Sequence, residues 1–341
     1  MSVTRGQSAW AQLGIWAILC ITQISSSSET TRGTFHGTGS TNNNTNSPES
    51  HQWLVGVTDG DGTFHFSQYN GTGKWGLYFK ISQSTYNLRL LYHIKKILGV
   101  GQVAVSGTDA EFRIRDKKAI VEHILPIFDK YPLLTSKHFN YTLFKQAALI
   151  ITDSTLSKQQ KDEALLALKN TTIPADYISS AWLGINPVQM TRKDALTVIL
   201  KSWLVGFTEA EGSFYIYNKA ANRLVHAFEI TQKSSDRVVL VGIALVLNIT
   251  VVTKKTYTTA KADSAASIPN LITYFANTMK GIKSLEYRIW ARSFDKRLIG
   301  VSRFEYLTKV LDQMRHIRSI RLDKNFKITH YAASRFTKKS A

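Results

Sequence analysis

Cysteine is almost missing from this chain: Cys20 is the one example in 341 residues. That excludes an internal disulfide framework and fits either a reducing compartment or simple indifference to redox conditions. No CxxC pair or His/Cys cluster is present to hold zinc. Acidic residues are also few, 24 Asp plus Glu against 43 Lys plus Arg, for a formal net charge of +19 and a pI near 9.9. A surplus of that size points to an anionic polymer or a membrane surface as partner. A long apolar run is lacking near the N-terminus. The stretch from Trp10 to Ile24 falls short of the roughly 20 residues that a membrane span needs. It has the outline of a secretory signal core, without a clear small-residue cleavage site. Hydrophobic residues still make up 43% of the chain, enough for a substantial core, and the length allows two domains.

What the sequence does have is a repeat. Trp53-Leu54-Val55-Gly56-Val57-Thr58-Asp59-Gly60-Asp61-Gly62-Thr63-Phe64 returns 150 positions later as Trp203-Leu204-Val205-Gly206-Phe207-Thr208-Glu209-Ala210-Glu211-Gly212-Ser213-Phe214. Each copy is a short apolar stretch running into two acids. A long fixed period with one acidic signature per copy implies two like units, each presenting a carboxylate to a shared centre.

The pattern around each copy has one order. Residues 52–60 and 202–210 have helical spacing, and alternating strands follow through Phe64 and Phe66 or Phe214 and Ile216. Turns are expected over 70–74 and 218–222, with return strands at 77–83 and 224–232. Helices at 86–98 and 236–247 come next, then strand pairs near 102–115 and 249–265, then closing helices near 117–128 and 268–279. Each half therefore reads helix, two strands, helix, two strands, helix. Five segments result: a non-conforming leader and flexible linker (1–49), a first repeat (50–152), a polar inter-repeat linker with a helix at 158–168 (153–187), a second repeat (188–283) and a basic helical segment (284–341).

On a helix Gly56 and Gly60 share one face, as do Gly206 and Ala210, and small residues let two backbones approach closely. If the motif helices pack together, Asp61 and Glu211 end side by side. Taken alone, each motif end is a helix stop, with Gly62 and Gly212 as C-cap residues. Yet carboxylates at a helix C-terminus oppose the macrodipole by roughly 0.3–1 kcal/mol each, and a converging pair repels itself. A divalent cation resolves that conflict, and an oxygen-only open site suits Mg²⁺ or a similar hard ion. Such ions serve phosphodiester cleavage. An EF-hand reading of 59–62 fails, because position twelve is Asn70. A P-loop reading of Gly73-Lys74 fails, because Gln68 stands where the first Gly belongs.

Leu54–Gly62 and Leu204–Gly212 resemble the signature of LAGLIDADG homing endonucleases in their single-chain, two-repeat form, and the resemblance spans roughly His51 to Phe294. It implies an α+β fold of two pseudo-symmetric αββαββα repeats whose sheets form a DNA-binding saddle. The family's metal-binding acids fall on Asp61 and Glu211, with Asp59 and Glu209 in support. The polar residue that helps order the hydrolytic water falls on Gln83 and Gln232, otherwise solvated strand ends. The basic residue that stabilises the site falls on Lys137 and Lys283, each otherwise a surface charge.

Polar strand positions form a candidate reading face: His65, Ser67, Tyr69, Lys80, Arg113 and Arg115 in the first half; Tyr215, Tyr217, Arg223, Glu229 and Thr231 in the second. Side chains on a two-stranded ribbon can bond base edges in a major groove; the alternative is an ordinary exposed sheet face. The resemblance thus implies a monomeric, Mg²⁺-dependent, site-specific double-strand DNA endonuclease that starts group I intron homing. Its compartment would be the mitochondrion, or alternatively the chloroplast, with no small-molecule cofactor. The leader would then be translation continuing from an upstream exon. One rival is an RNA-binding maturase that assists splicing of its host intron RNA, for which the basic tail (Arg288, Arg292, Arg297, Arg303, Arg315, Arg318, Arg321) is equally suited. A non-catalytic DNA-binding regulator is another. Both would tolerate loss of the motif acids.

Overall fold

The computed structural model describes residues 47–296 and 299–322, with side chains through 319. The leader and linker expected over 1–49 lie outside the described residues up to Asn46, as do Cys20, Arg297, the Arg321 side chain and everything after Leu322.

The first half runs α1 (Pro48–Asp61), β1 (Gly62–Gln68), β2 (Trp75–Ser84), α2 (Leu88–Leu98), β3 (Gln102–Ser106), β4 (Asp109–Ile114), a helical run over 117–130 (α3) and α4 (Lys137–Thr152). Two connecting helices follow, α5 (Lys158–Lys169) and α6 (Arg192–Val198). The second half repeats the order as α7 (Lys201–Glu211), β5 (Gly212–Ala220), β6 (Arg223–Lys233), α8 (Arg237–Leu247), β7 (Thr250–Thr253), β8 (Tyr257–Ala262), α9 (Ile268–Phe275) and α10 (Lys283–Asp295), with α11 (Gly300–Leu322) beyond it. The expected α+β class with two αββαββα halves is what the chain adopts. Among the described residues no helix is long and apolar enough to cross a membrane.

α1 begins inside the stretch assigned to the linker. Ser47 caps it by accepting from Ser50 N at 3.2 Å, Pro48 fills the first turn, and Glu49 suits the positive helix end. The second repeat also extends past its expected limit at 283. Lys283 opens α10, which packs on β5 as α4 packs on β1. Nor is the segment after it only a basic surface: α11 buries Leu307, Val310, Met314 and Ile317, one helical stripe, against the second half.

Each half holds a four-stranded antiparallel sheet, ordered β1-β2-β4-β3 and β5-β6-β8-β7. Alternation splits every strand into a buried and an open face. Phe64 meets Phe79, Phe128, Tyr141 and Phe144 at ring separations of 5.1–5.4 Å. Its counterpart Phe214 meets Phe228, Phe275, Tyr287 and Trp290 at 5.0–5.6 Å. Such pairs add about 0.5–1.5 kcal/mol each beyond area burial. The two halves thus bury one aromatic plan, which fixes which faces stay open. Corresponding rows across the open faces are Thr63, Lys80, Arg113, Gln102 and Ser213, Glu229, Lys261, Thr250.

Candidate active site

The site is built by the packing of α1 on α7. A Cβ at Gly56 would lie 2.0 Å from the Trp203 carbonyl oxygen, and one at Gly206 would lie 2.0 Å from the Trp53 carbonyl oxygen. Only a bare Cα–H fits at either position, so both helices end at one place. Gly62 and Gly212 follow immediately in extended backbone, with φ of −79° and −73°. They are the C-caps expected, each giving its N–H to the carbonyl of Thr58 or Thr208, but in extended rather than left-handed backbone. Glycine is needed there for space, since a Cβ would meet the methyl of Thr58 at 2.3 Å or of Thr208 at 2.4 Å.

Asp61 and Glu211 are the last residues of the two helices. The Glu211 side chain crosses toward α1, where a Cβ on Gly60 would come 3.1 Å from its Cγ and 3.3 Å from its Oε1. Burial, and then the Glu211 carboxylate, push Asp61 up to about 6, against the opposing pull of Lys283, Lys137 and a hydrogen bond from Gln83. Two carboxylates pressed together in a poorly solvated site fit a hard divalent cation, whose charge offsets both penalties. Among the described residues no cluster of three or more His, Cys, Asp or Glu side chains forms a closed cage. A cation held by Asp61 and Glu211 would complete its shell with water and substrate oxygens.

The lysines sit beneath the acids. Lys137 Nζ donates to the carbonyls of Thr58 (3.0 Å) and Gly60 (2.5 Å), and Lys283 Nζ to those of Glu209 (3.0 Å) and Ala210 (3.3 Å). Lys283 reaches carbonyls at the end of α7, while Lys137 reaches that of Gly60 and adds a second donor to that of Thr58, which already accepts from Gly62 N; both bring positive charge to a negative helix end. Burial lowers Lys137, with Asp59, Asp61 and Glu211 pulling the other way.

Asp59 and Glu209 are 3% exposed, and backbone and indole donors surround them. Asp59 accepts from Leu134 N (2.8 Å), Thr135 N (3.1 Å), Thr135 Oγ1 (2.6 Å) and Trp203 Nε1 (2.8 Å). One carboxylate therefore ties together α1, α7 and the turn leading to Lys137. Glu209 accepts from Lys280 N and, at 3.0 Å, from Gly281 N, fixing the turn that leads to Lys283.

The glutamines differ. Gln83 Nε2 donates to Asp61 Oδ2, while among the described residues no hydrogen bond joins Gln232 to Glu211. Asp61 and Gln83 open with Asn87, Glu111 and Lys283 onto a cleft of about 790 Å³.

Nine of the eleven reading-face candidates lie on the open sides of the sheets, Tyr69 and Arg115 sit one residue beyond β1 and β4, and several are already held. Arg113 pairs with Glu111 at 3.0 Å, and Arg115 lies 5.0 Å over the Tyr78 ring. Tyr69 crosses Gly76, where a Cβ would come within 2.6 Å of its ring. Tyr215 donates to Glu229 at 2.8 Å, Tyr217 to Asp263 at 2.5 Å, and Thr231 meets Thr259 at 2.8 Å. His65, Ser67, Lys80 and Arg223 share these faces. Sequence reasoning missed Tyr78, Glu111, Lys261 and Asp263, which occupy the same alternating rows. It also missed Asn87 and Asp236, each four residues beyond its glutamine, a spacing that comparison of the repeats could have exposed.

The family model described as LAGLIDADG endonuclease matches residues 54–148 and 204–294, taking in the acidic ends of both motif helices and both sheets. The chain belongs to this family. A probable intron-encoded endonuclease, Cox1-I1b of Schizosaccharomyces pombe, is 36% identical over 282 residues, covering 79% of this LAGLIDADG chain and 69% of the relative. An uncharacterized mitochondrial protein, RF1 of Saccharomyces cerevisiae, is 30% identical over 191 residues, 56% of this chain and 37% of its own. Among solved structures, I-SmaMI bound to uncleaved DNA with calcium ions superposes with a TM-score of 0.66 at 20% identity, over 78% of this chain and 98% of that one. The LAGLIDADG homing endonuclease I-GzeII with its DNA target gives 0.64 at 19% identity, over 77% and 97%. At such identities these structures establish the LAGLIDADG fold.

Proposed function

We propose that this LAGLIDADG protein is a monomeric, site-specific double-strand DNA endonuclease that starts group I intron homing in the mitochondrion. The observation that carries the reading is the meeting of Asp61 and Glu211, one from each repeat, at the end of a helix pair flanked by two open polar sheet faces. A duplex is itself nearly two-fold symmetric, so a pseudo-symmetric pair of sheets can address both strands from one chain.

Hydrolysis adds water to phosphorus, breaks one phosphorus–ester oxygen bond and returns a proton to the leaving oxygen. Mg²⁺ or another hard divalent ion at Asp61 and Glu211 would activate that water and neutralise charge on the leaving oxygen. Gln83 would hold the nucleophilic water through its amide, a role supported by its hydrogen bond to Asp61. Lys137 and Lys283 supply positive charge where the phosphate gains negative charge. The sheet faces bind the duplex on either side and set which sequence is seated. Intact acids in both motifs favour cleavage over a splicing role alone, which has no use for them.

The test uses the uninterrupted exon junction flanking the gene, incubated with Mg²⁺ or EDTA. Metal-dependent cuts in both strands are expected, abolished by Asp61→Asn or Glu211→Gln with binding retained. Full cutting by both variants would sink the proposal.

A further inference from the structure

The position four residues beyond each site glutamine is filled differently in the two repeats: Asn87 after Gln83, Asp236 after Gln232. Both side chains are buried, at 5% and 6% exposure, and both reach into the opposite repeat. Asn87 Oδ1 accepts from Ile282 N at 3.0 Å. Asp236 accepts from Ser136 N at 2.5 Å and from Ser136 Oγ at 3.0 Å. Ile282 and Ser136 are equivalent, since each immediately precedes a site lysine. The two residues therefore share one task, anchoring the turn that carries the other repeat's lysine.

Only the asparagine has a donor left over. Its Nδ2 gives a 2.9 Å hydrogen bond to Gln83 Oε1. A primary amide has one accepting end and one donating end. With the Gln83 oxygen held by Asn87, its NH₂ must point the other way, and that is the group bonded to Asp61. Both Asp236 oxygens are taken up in accepting from Ser136, and among the described residues no hydrogen bond joins Asp236 to Gln232. Gln232 is thus denied the clamp that Gln83 has.

We infer that Asn87 is a positioning residue that sets Gln83 against Asp61, so that the half-site of the first repeat is preorganised, the half-site of the second is not, and the strand served by the first is cut first. This rests on the assignment of Asp61 and Gln83 to the active site. Preorganisation speeds a step because the group need not find its geometry at the moment of reaction.

The experiment is single-turnover cleavage of a duplex labelled differently on each strand, with full-length protein and Mg²⁺. Unaltered protein should pass through a nicked intermediate with one strand cut ahead. Asn87→Asp keeps an oxygen for Ile282 N but removes the donor. It should slow the leading strand by about tenfold or more and leave the lagging strand within about twofold. In a Gln83→Ala background the same substitution should add nothing, because its effect passes through Gln83. Asp236→Asn, an independent variant in the other repeat, should speed the lagging strand by supplying the missing donor. Equal slowing of both strands by Asn87→Asp, or full additivity with Gln83→Ala, would show a structural anchor only and overturn the inference. A slow Gln83→Ala enzyme beside an unaffected Asn87→Asp enzyme would overturn it while leaving the proposed function intact. Unchanged rates on both strands in Gln83→Ala would remove the site assignment and the inference with it.

Discussion

Replacing Gly56 by Ala tests whether the site depends on the closeness of α1 and α7. The new methyl would start 2.0 Å from the Trp203 carbonyl oxygen and 2.8 Å from Phe207 N, where real contacts essentially never fall below 3.0 Å. Both obstacles are backbone, so no rotamer change relieves them, and the helices must part by roughly 1 Å. Overpacking of this kind costs about 1–3 kcal/mol, and a backbone obstacle belongs at the upper end. The better helix propensity of Ala returns about 1 kcal/mol. The net loss is about 2 kcal/mol, or roughly 4–8 °C in melting temperature for a unit of this size. Activity should fall much further. Asp61 and Glu211 ride on the two helix ends, and a displacement near 1 Å can cost about 100-fold in rate. Thermal melting and single-turnover cleavage read the two effects separately. Gly60→Ala supplies the contrast, since its Cβ would meet the Ala210 methyl at 2.3 Å, a side chain that Ala210→Gly deletes. The Gly60→Ala/Ala210→Gly pair should recover stability, whereas no side-chain deletion rescues Gly56→Ala. A Gly56→Ala protein that melts and cuts like the parent would refute the close-approach argument.

Asp59→Ala should destabilise strongly, because it strands Leu134 N, Thr135 N and Trp203 Nε1 in the interior at about 1–3 kcal/mol each; urea titration measures the drop. His226 is buried against Ser293 Oγ at 2.7 Å, and burial pushes its imidazole from 6.5 down to about 4. Below pH 6.5 the unfolded chain takes up a proton that the folded chain refuses. Stability should therefore be lost as pH falls from about 6.5 toward 4, by on the order of 3 kcal/mol at most. His226→Gln should flatten that part of the pH–stability curve, and an unchanged slope would rule His226 out as its source. DNA binding should weaken about 10³–10⁵-fold between 50 and 200 mM salt if 6–10 phosphates are contacted. Salt-independent binding would contradict a phosphate-tracking surface.

Much of the architecture was legible because it is written in local periods. The alternation through Phe64 or Phe214 and the glycines at helical spacing each report a constraint within one element, and the 150-residue repeat shows those elements twice. The limits of the second repeat and the role of its tail were less legible. Lysines and arginines dominated the composition after 284, while the 3- and 4-residue spacing of Leu307, Val310, Met314 and Ile317 carried the packing signal. α1 likewise began earlier than its apolar residues suggested, because its cap is polar: Ser47, Pro48 and Glu49.

By itself, then, the sequence determined that there are two like units, that each ends a helix on a carboxylate, and that the surface suits an anionic polymer. Tertiary structure alone decided how those carboxylates are held. Asp59 receives its fourth hydrogen bond from Trp203, 144 positions away, Asn87 anchors Ile282 across 195, and Asp236 anchors Ser136 across 100. Asn and Asp occupy equivalent places and read alike in a sequence, as small polar residues before a helix. Their difference becomes chemical only when a second segment uses up their oxygens, leaving one with an N–H to give to a glutamine and the other with none.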